Sequence, residues 1–209
     1  PGYRISATLN VIASMIPLAF ALLLLIADRP GAGHLLFVDD LNVVFIMLNS
    51  FVGFTTSVFS ASYIEHELEI GRLTPLHLRF YHAMFQLMLF GMNLALTANN
   101  IGLMWVAVEL ATLTTVLMVG IYRTHEALEA AWKYFILGSA GIALALFGTI
   151  LVYLAARLAM GEGLDAMAWT TLVSRVRAFD PPLLNIAFVL LLLGSGPRAR
   201  LAPLAAWRP

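Results

Sequence analysis

Cysteine is absent from this 209-residue sequence, and charged residues are scarce. Without cysteine the chain can form no disulfide, thiolate metal site, cysteine-ligated iron–sulfur cluster or cysteine nucleophile. Charged residues make up 11% of the chain and hydrophobic residues 61%, whereas soluble domains usually carry about 25% charged residues. The mean hydropathy is +0.88. Because so little charge cannot cover a surface exposed to water, we expect lipid to be the main solvent of this chain.

Two further absences narrow the function. The net charge is zero, so the chain has neither a basic footprint for nucleic acid nor an acidic tail. It contains no GxGxxG, P-loop, HExxH or GxSxG motif, so we expect no cofactor, no metal and no catalytic residue of a recognisable kind. His66 and His77 stand in a polar, acidic loop, which we interpret as solvated surface rather than a metal site.

Long apolar runs dominate what is present. Each of six runs is long enough to cross most or all of about 30 Å of hydrocarbon at about 1.5 Å per helical residue. They cover 7–27, 41–64, 80–98, 100–122, 130–156 and 183–196. No Gly/Ser linker divides them, so we predict one all-α membrane domain of about six transmembrane helices. With no initiator methionine and no basic segment before the first run, we expect no signal peptide and interpret the chain as a fragment.

Polar and small residues form stripes on the second, third and fourth predicted helices. At about 100° per residue, the members of each stripe fall within a narrow arc. The stripes are Asn42, Asn49, Gly53 and Ser60, then His82, Gln86, Asn93 and Thr97, then Gly102, Glu109 and Gly120 with Thr112 on the flank. Small residues and amides of this kind serve helix packing in membranes. A hydrated interior shared by the three helices is the alternative interpretation.

Glu109 is an acidic residue near the middle of the fourth predicted helix. It lies about ten residues from each end, which places it some 15 Å deep. An ionisable group at that depth costs at least a few kcal/mol unless it is paired or hydrated. A protonated glutamate acting as a neutral hydrogen-bond partner would satisfy this requirement. A carboxyl in a proton relay would also satisfy it, and we favour that function.

Two basic side chains are further candidates for a proton path. Lys133 lies one to two turns inside the fifth predicted helix, where a lysine can extend to the interface. The turn at 123–126 makes helices four and five an antiparallel hairpin, so water or another side chain could couple Lys133 to Glu109. His82 belongs to the polar stripe of the third helix, where either a proton-path role or a packing role is consistent with its position.

The segment 99–109, Asn-Asn-Ile-Gly-Leu-Met-Trp-Val-Ala-Val-Glu, resembles the start of the core of the antiporter-like subunits. These are the proton-translocating membrane subunits of respiratory complex I, of Mrp-type Na⁺/H⁺ antiporters and of membrane-bound hydrogenases. The resemblance continues through 129–135 and 146–149. Within this family, the sequence most resembles the F component of hydrogenase-4. Segments 62–67 and 119–122 are also similar to that subunit.

The resemblance implies a fold of about fourteen helices built from two inverted repeats, each with a broken helix. This chain would be a fragment of that fold. Residues 1–98 would form N-terminal transmembrane helices, and 99–209 the truncated start of the proton-translocating core. A multi-pass protein of the bacterial inner (cytoplasmic) membrane is implied. Arginines are more numerous on the side where the chain begins, which favours that side as cytoplasmic.

The resemblance also implies roles for individual residues. In the family, the glutamate at the Glu109 position pairs with a lysine on the first broken helix. Here the lysine position holds Arg198 and a nearby histidine position holds Ala205. Arginine stays protonated to about pH 12 or beyond, so it can pair with Glu109 but cannot pass protons on as lysine does. The predicted proton path therefore consists of Glu109, Lys133, Arg198 and His82.

Together these features predict a proton-translocating membrane subunit of a hydrogenase-4, formate hydrogenlyase or NADH-quinone oxidoreductase-type complex. Its partners would be lipid, other membrane subunits and a peripheral redox arm, and no nucleic acid. The chain would hold no redox centre, so any enzyme label would come from the complex. One alternative is an Mrp-type cation/proton antiporter subunit. Another is a truncated remnant that does not pump, which Arg198 and Ala205 favour.

Overall fold

The computed structural model of the protein describes residues 2–196, whose regular structure is helical. The α-helices in this range are α1 Gly2–Ile26, α2 Asp40–Glu69, α3 Pro75–Thr97, α4 Ile101–Val119, α5 His125–Met160, α6 Trp169–Arg175 and α7 Pro181–Ser195. Short 3-10 segments occur at Gly120–Tyr122, Leu164–Met167 and Val176–Ala178. Between residues 2 and 196 there is no β-strand, and β-type pairing is confined to two isolated bridges. The all-α prediction is confirmed.

The six predicted apolar helices are all present, although their ends differ. By length and composition, four segments can cross a membrane, namely Tyr3–Ile26, Asp40–Glu69, Ile101–Tyr122 and His125–Met160. α7 is a shorter apolar helix of 15 residues, and α3, which carries several polar side chains, is not among the four. α6 was not predicted, because it is a short helix inside what the hydropathy pattern marks as a loop. Large apolar side chains such as Phe59 and Phe188 are exposed, as lipid-facing residues are.

Side-chain caps explain why the helices begin where they do. The side chains of Asp39, Thr74, Asn100 and Thr124 each accept a hydrogen bond from a backbone N–H in the first turn of the helix that follows. Such caps satisfy donors that a helix cannot pair internally. They also let α2 and α5 begin in polar residues ahead of their apolar runs, at Asp40 and His125.

The long helices alternate in direction, so their connections gather at two ends of the bundle. End A holds the start of the chain, the α2–α3 turn and the α4–α5 turn. There Arg4 Nε lies 3.8 Å from Glu65 Oε1, and Tyr63 Oη lies 3.0 Å from Tyr122 Oη. End B holds the α1–α2 loop, the α3–α4 turn and the α5–α7 connection. The most extensive helix contacts are α5 with α7, α3 with α4 and α1 with α2.

Asn99 ties the three connections of end B together. Its side-chain amide donates to Gly33 O at 2.6 Å and to Thr170 Oγ1 at 3.0 Å. Its side-chain oxygen accepts from Thr170 N at 3.1 Å. Its backbone N–H donates to Leu35 O at 2.8 Å, and its carbonyl accepts from Trp169 N at 2.5 Å. Asn99 is 2% exposed, so these bonds have little competition from water.

We expect Asn99→Leu to loosen end B. The change removes the Asn99 partners of Gly33 O, on an exposed residue, and of the half-buried Thr170 N–H. Each lost hydrogen bond costs about 0.5–1.5 kcal/mol. Amide hydrogen exchange in the full-length protein should then rise in segments 28–39 and 161–170 and stay unchanged at end A. Asn185→Leu is the matched control, because Asn185 is exposed on α7. Unchanged amide hydrogen exchange at end B in the Asn99 variant would contradict the conclusion that Asn99 holds the three connections together.

Candidate functional site

Glu109 lies in the middle of α4 and is half-buried. It follows the first residue of the helix by eight positions, which is about 12 Å of helix. Glu109 has at least one interaction partner. Apolar residues surround it along the helix, including the fully buried Ala107. An acidic group in such a segment requires a function or a compensating interaction.

The face of α4 that carries Glu109 is turned toward α5. Trp105 Nε1 donates to Ile142 O of α5 at 3.1 Å, and a Cβ on Gly138 of α5 would lie 3.8 Å from the Thr112 side chain. Trp105 and Thr112 lie within about 60° of Glu109 on a helical projection. Glu109 therefore lies on the face of α4 that is directed toward α5.

α3 packs against the opposite face of α4. A Cβ on Gly91 of α3 would lie 3.0 Å from Ala107 O and 3.1 Å from Ala111 N. Ala107 and Ala111 lie about 160–200° away from Glu109 on the helical projection. Glu109 therefore lies on one side of α4, and α3 with its polar stripe lies on the other. A hydrated interior stays a prediction.

Lys133 forms a local ion pair on α5. Its Nζ lies 2.5 Å from Glu129 Oε1, one turn earlier in the helix, and its side chain is 70% exposed. A coupling of Lys133 to Glu109 stays a prediction.

Arg198 lies outside the described residues, as do Ala205 and the rest of segment 197–209. The pairing of Arg198 with Glu109 that the family resemblance implies therefore also stays a prediction.

His82 is buried between α3 and its neighbours α1 and α2. It is 6% exposed, and within residues 2–196 neither of its ring nitrogens has a hydrogen-bond partner. The Tyr81 ring stands edge-on to the imidazole at a centroid distance of 5.4 Å. Leu78 and Gln86 lie one turn on either side of His82 on the same face of α3, and they contact α2 and α1 respectively. His82 and Glu109 thus occupy separate regions.

The polar stripes of α2 and α3 meet, as the hydrogen bond of 3.1 Å from Asn49 Nδ2 to Asn93 Oδ1 shows.

The sequence analysis did not identify the polar residues that α1 contributes. Asn10 Nδ2 donates to Ser57 Oγ at 2.7 Å, and Gln86 Nε2 donates to Asn10 Oδ1 at 2.8 Å. The i, i+4 spacing of Asn10 and Ser14 in an otherwise apolar helix was the signal that could have revealed it.

Within residues 2–196, no group of three or more His, Cys, Asp or Glu side chains is placed to hold a metal ion. The polar groups that the structure assembles are amides, hydroxyls, an imidazole and a carboxyl. These groups can donate, accept and relay protons, and they can bind water.

The chain is similar in sequence to several known proteins. A family model described as "NADH:quinone oxidoreductase/Mrp antiporter, TM" matches residues 98–209. The chain is 59% identical to "Hydrogenase-4 component F homolog" of Methylacidiphilum infernorum over all 209 residues, which is 44% of that protein. It is 30% identical to "F(420)H(2) dehydrogenase subunit N" of Methanosarcina mazei, covering 82% of this chain and 32% of that protein.

Among solved structures, respiratory complex I from Thermus thermophilus with bound aureothin contains a chain of the same fold. The TM-score is 0.73 at 24% identity, and the match covers 98% of this chain and 40% of that one. The chain thus spans less than half the length of the relatives and the structure that it matches.

Proposed function

The chain belongs to the NADH:quinone oxidoreductase/Mrp antiporter transmembrane family, and from this premise we propose that it is part of a proton-translocating membrane subunit of a hydrogenase-4-type complex. The observation that carries the proposal is the 59% identity to a hydrogenase-4 component F homolog along the whole chain. A relative named as an NADH-quinone oxidoreductase subunit is also similar, at 32% identity over 92% of this chain. Residence in the bacterial inner membrane follows from the same proposal.

Glu109 is the residue on which we base the mechanism. It is half-buried in a 22-residue apolar segment, Ile101–Tyr122, and it faces α5, the helix that carries Lys133. A carboxyl in this position can take up a proton from one side and release it to the other when a neighbouring charge changes. Lys133 and Arg198 are the basic groups proposed to act on it.

The energy for transport would come from outside this chain. No cysteine is present in this sequence to ligate an iron–sulfur cluster, and we propose that a peripheral arm of the complex carries out the redox reaction. This chain's own contribution is to hold the proton at Glu109 and to exclude bulk water. Other membrane subunits are the proposed direct partners.

Co-purification of the full-length protein from its native membrane tests the proposal. We expect it to bring down hydrogenase or related oxidoreductase subunits in stoichiometric amounts. Recovery of Mrp-type antiporter subunits alone would instead support the Mrp alternative. A protein that comes down alone, from a gene that ends after residue 209, would support a remnant that does not pump.

A further inference from the structure

A second polar region runs through the α1–α2–α3 interface, apart from Glu109. Gln86, Asn10 and Ser57 are joined by the two short hydrogen bonds described above, and Ser14 Oγ donates to Asn10 O at 2.6 Å. One turn from Ser57, the Ser60 hydroxyl donates to Ser57 O at 3.0 Å. Asn10, Ser14, Ser57 and Ser60 are all buried, so this region, the α1–α3 polar seam, is shielded from lipid.

Polar atoms in and near the seam have no hydrogen-bond partner in residues 2–196. They are both ring nitrogens of His82, the hydroxyl of Ser50 and, nearer end A, Oε2 of Glu67. His82, Ser50 and Glu67 are 6%, 1% and 4% exposed. A buried polar atom without a partner costs about 1–3 kcal/mol, and nearly all such atoms in proteins are paired with protein or ordered water. These orphan atoms therefore mark positions for buried water.

Tyrosine hydroxyls connect the seam to end A. Tyr63 and Tyr122 share a hydrogen bond of 3.0 Å. Electrostatic coupling is expected between Tyr122 and both Glu67 and Tyr81, and between Tyr81 and the Ser60 hydroxyl. These hydroxyls are therefore the candidates to link Glu67 at end A with the buried serines.

An apolar cluster makes this detour necessary. Ile64, Leu73, Leu78 and Ile121 pack together between Glu67 and the seam, and Tyr3, Tyr81 and Tyr122 lie at their edge. Water does not enter such a cluster, so the direct line from Glu67 to His82 is closed. The phenol groups of Tyr3, Tyr81 and Tyr122 at the edge of the cluster could instead carry a proton around it.

We propose that the α1–α3 polar seam binds a file of water molecules around His82, and that this file together with Tyr63, Tyr122 and Tyr81 gives protons access to the membrane interior from Glu67 at end A. The transport role rests on the proposed function, whereas the binding of water does not. Along the path each group accepts one proton and releases one. Neutral imidazole takes a proton on one nitrogen and releases the other from its second nitrogen, which leaves the opposite tautomer. Rotation of the ring then restores the starting state of His82, and no co-reactant is needed.

Exchange of histidine C2 protons in D2O tests for the water. Mass spectrometry of the intact purified complex would report the rate at each histidine, and the exposed His66 is the internal reference. We expect His82 to exchange within about tenfold of His66, because exchange requires water at the ring, and protection of a closed core is far larger. A rate at His82 more than about a hundredfold below that of His66 would mean a dry site and would overturn the inference.

Transport by conservative variants tests the role. Tyr122→Phe and Tyr63→Phe each remove one hydroxyl and keep the ring, and His82→Leu removes the imidazole. Proton uptake by vesicles containing the full complex should fall at least about threefold in each, at an unchanged amount of assembled complex. His66→Leu is the control and should leave uptake unchanged. If uptake stays at the wild-type level in all three variants while Glu109→Gln abolishes it, the access role is refuted and the proposed function stands.

Discussion

Glu109→Gln in the intact complex should reduce proton translocation by at least about tenfold, since a positioned proton donor or acceptor commonly contributes a factor of about 10²–10⁴. Glutamine keeps the size and the hydrogen-bonding capacity of the side chain, so α4 should still pack. It cannot take up or release a proton, however, so a relay through this position stops. The measurement is the initial rate of pH-dye quenching in inverted membrane vesicles after addition of the electron donor.

Two comparisons make this experiment specific to the carboxyl of Glu109. Glu126→Gln alters an exposed glutamate in the first turn of α5 and should leave the rate unchanged. Electron transfer by the peripheral arm, measured in the same vesicles with an uncoupler, should persist in both variants. A wild-type translocation rate in the Glu109 variant would refute the relay and leave Glu109 as a neutral hydrogen-bonding residue.

Gly194→Ala should have the largest effect on assembly, because α5 and α7 touch backbone to backbone. A Cβ on Gly194 would lie 2.6 Å from both Ala145 N and Gly141 O. Backbone atoms inside two packed helices cannot move aside as a flexible side chain can. We expect a destabilisation of about 1–3 kcal/mol, the usual cost of overpacking, together with a lower level of the subunit in the membrane.

Gly138→Ala is the matched control for the same substitution on α5. A Cβ there would meet only Thr112 Cγ2 at an ordinary 3.8 Å. Alanine also favours helix over glycine by about 1 kcal/mol, so this variant should be neutral or slightly more stable. Thermal unfolding of the purified complex in detergent, followed for both variants, should therefore move in opposite directions. Equal shifts would show that the α5–α7 contact is looser than described.

Much of the fold was predictable because it depends on local patterns. Six apolar runs marked six helices, and Thr74 and Asn100 are cap residues that can be identified in the sequence. α6 was not predictable, since a seven-residue helix depends on the contacts of its ends, here through Trp169 and Thr170 to Asn99. Helical periodicity identified the face of α4 that carries Glu109. It does not indicate which helix packs against that face.

The candidate site was predictable to a similar extent. The depth of Glu109 follows from counting residues, whereas the ion pair of Lys133 with Glu129 depends on rotamers that counting does not give. Asn10 was missed because α1 is mostly apolar, and the i, i+4 spacing of Asn10 and Ser14 does not indicate which helix supplies the partner Gln86. The partner of a buried polar group is a property of the tertiary structure.

The tight contact between α3 and α4 has a consequence for charge. Gly91 brings the α3 backbone so close to Ala107 and Ala111 that a Cβ would be crowded. At this level the contact lies between the face of α4 that carries Glu109 and the α1–α3 polar seam. A charge on either side is therefore separated from the other by packed backbone, and any proton that passes between the two regions must do so nearer one end of the bundle.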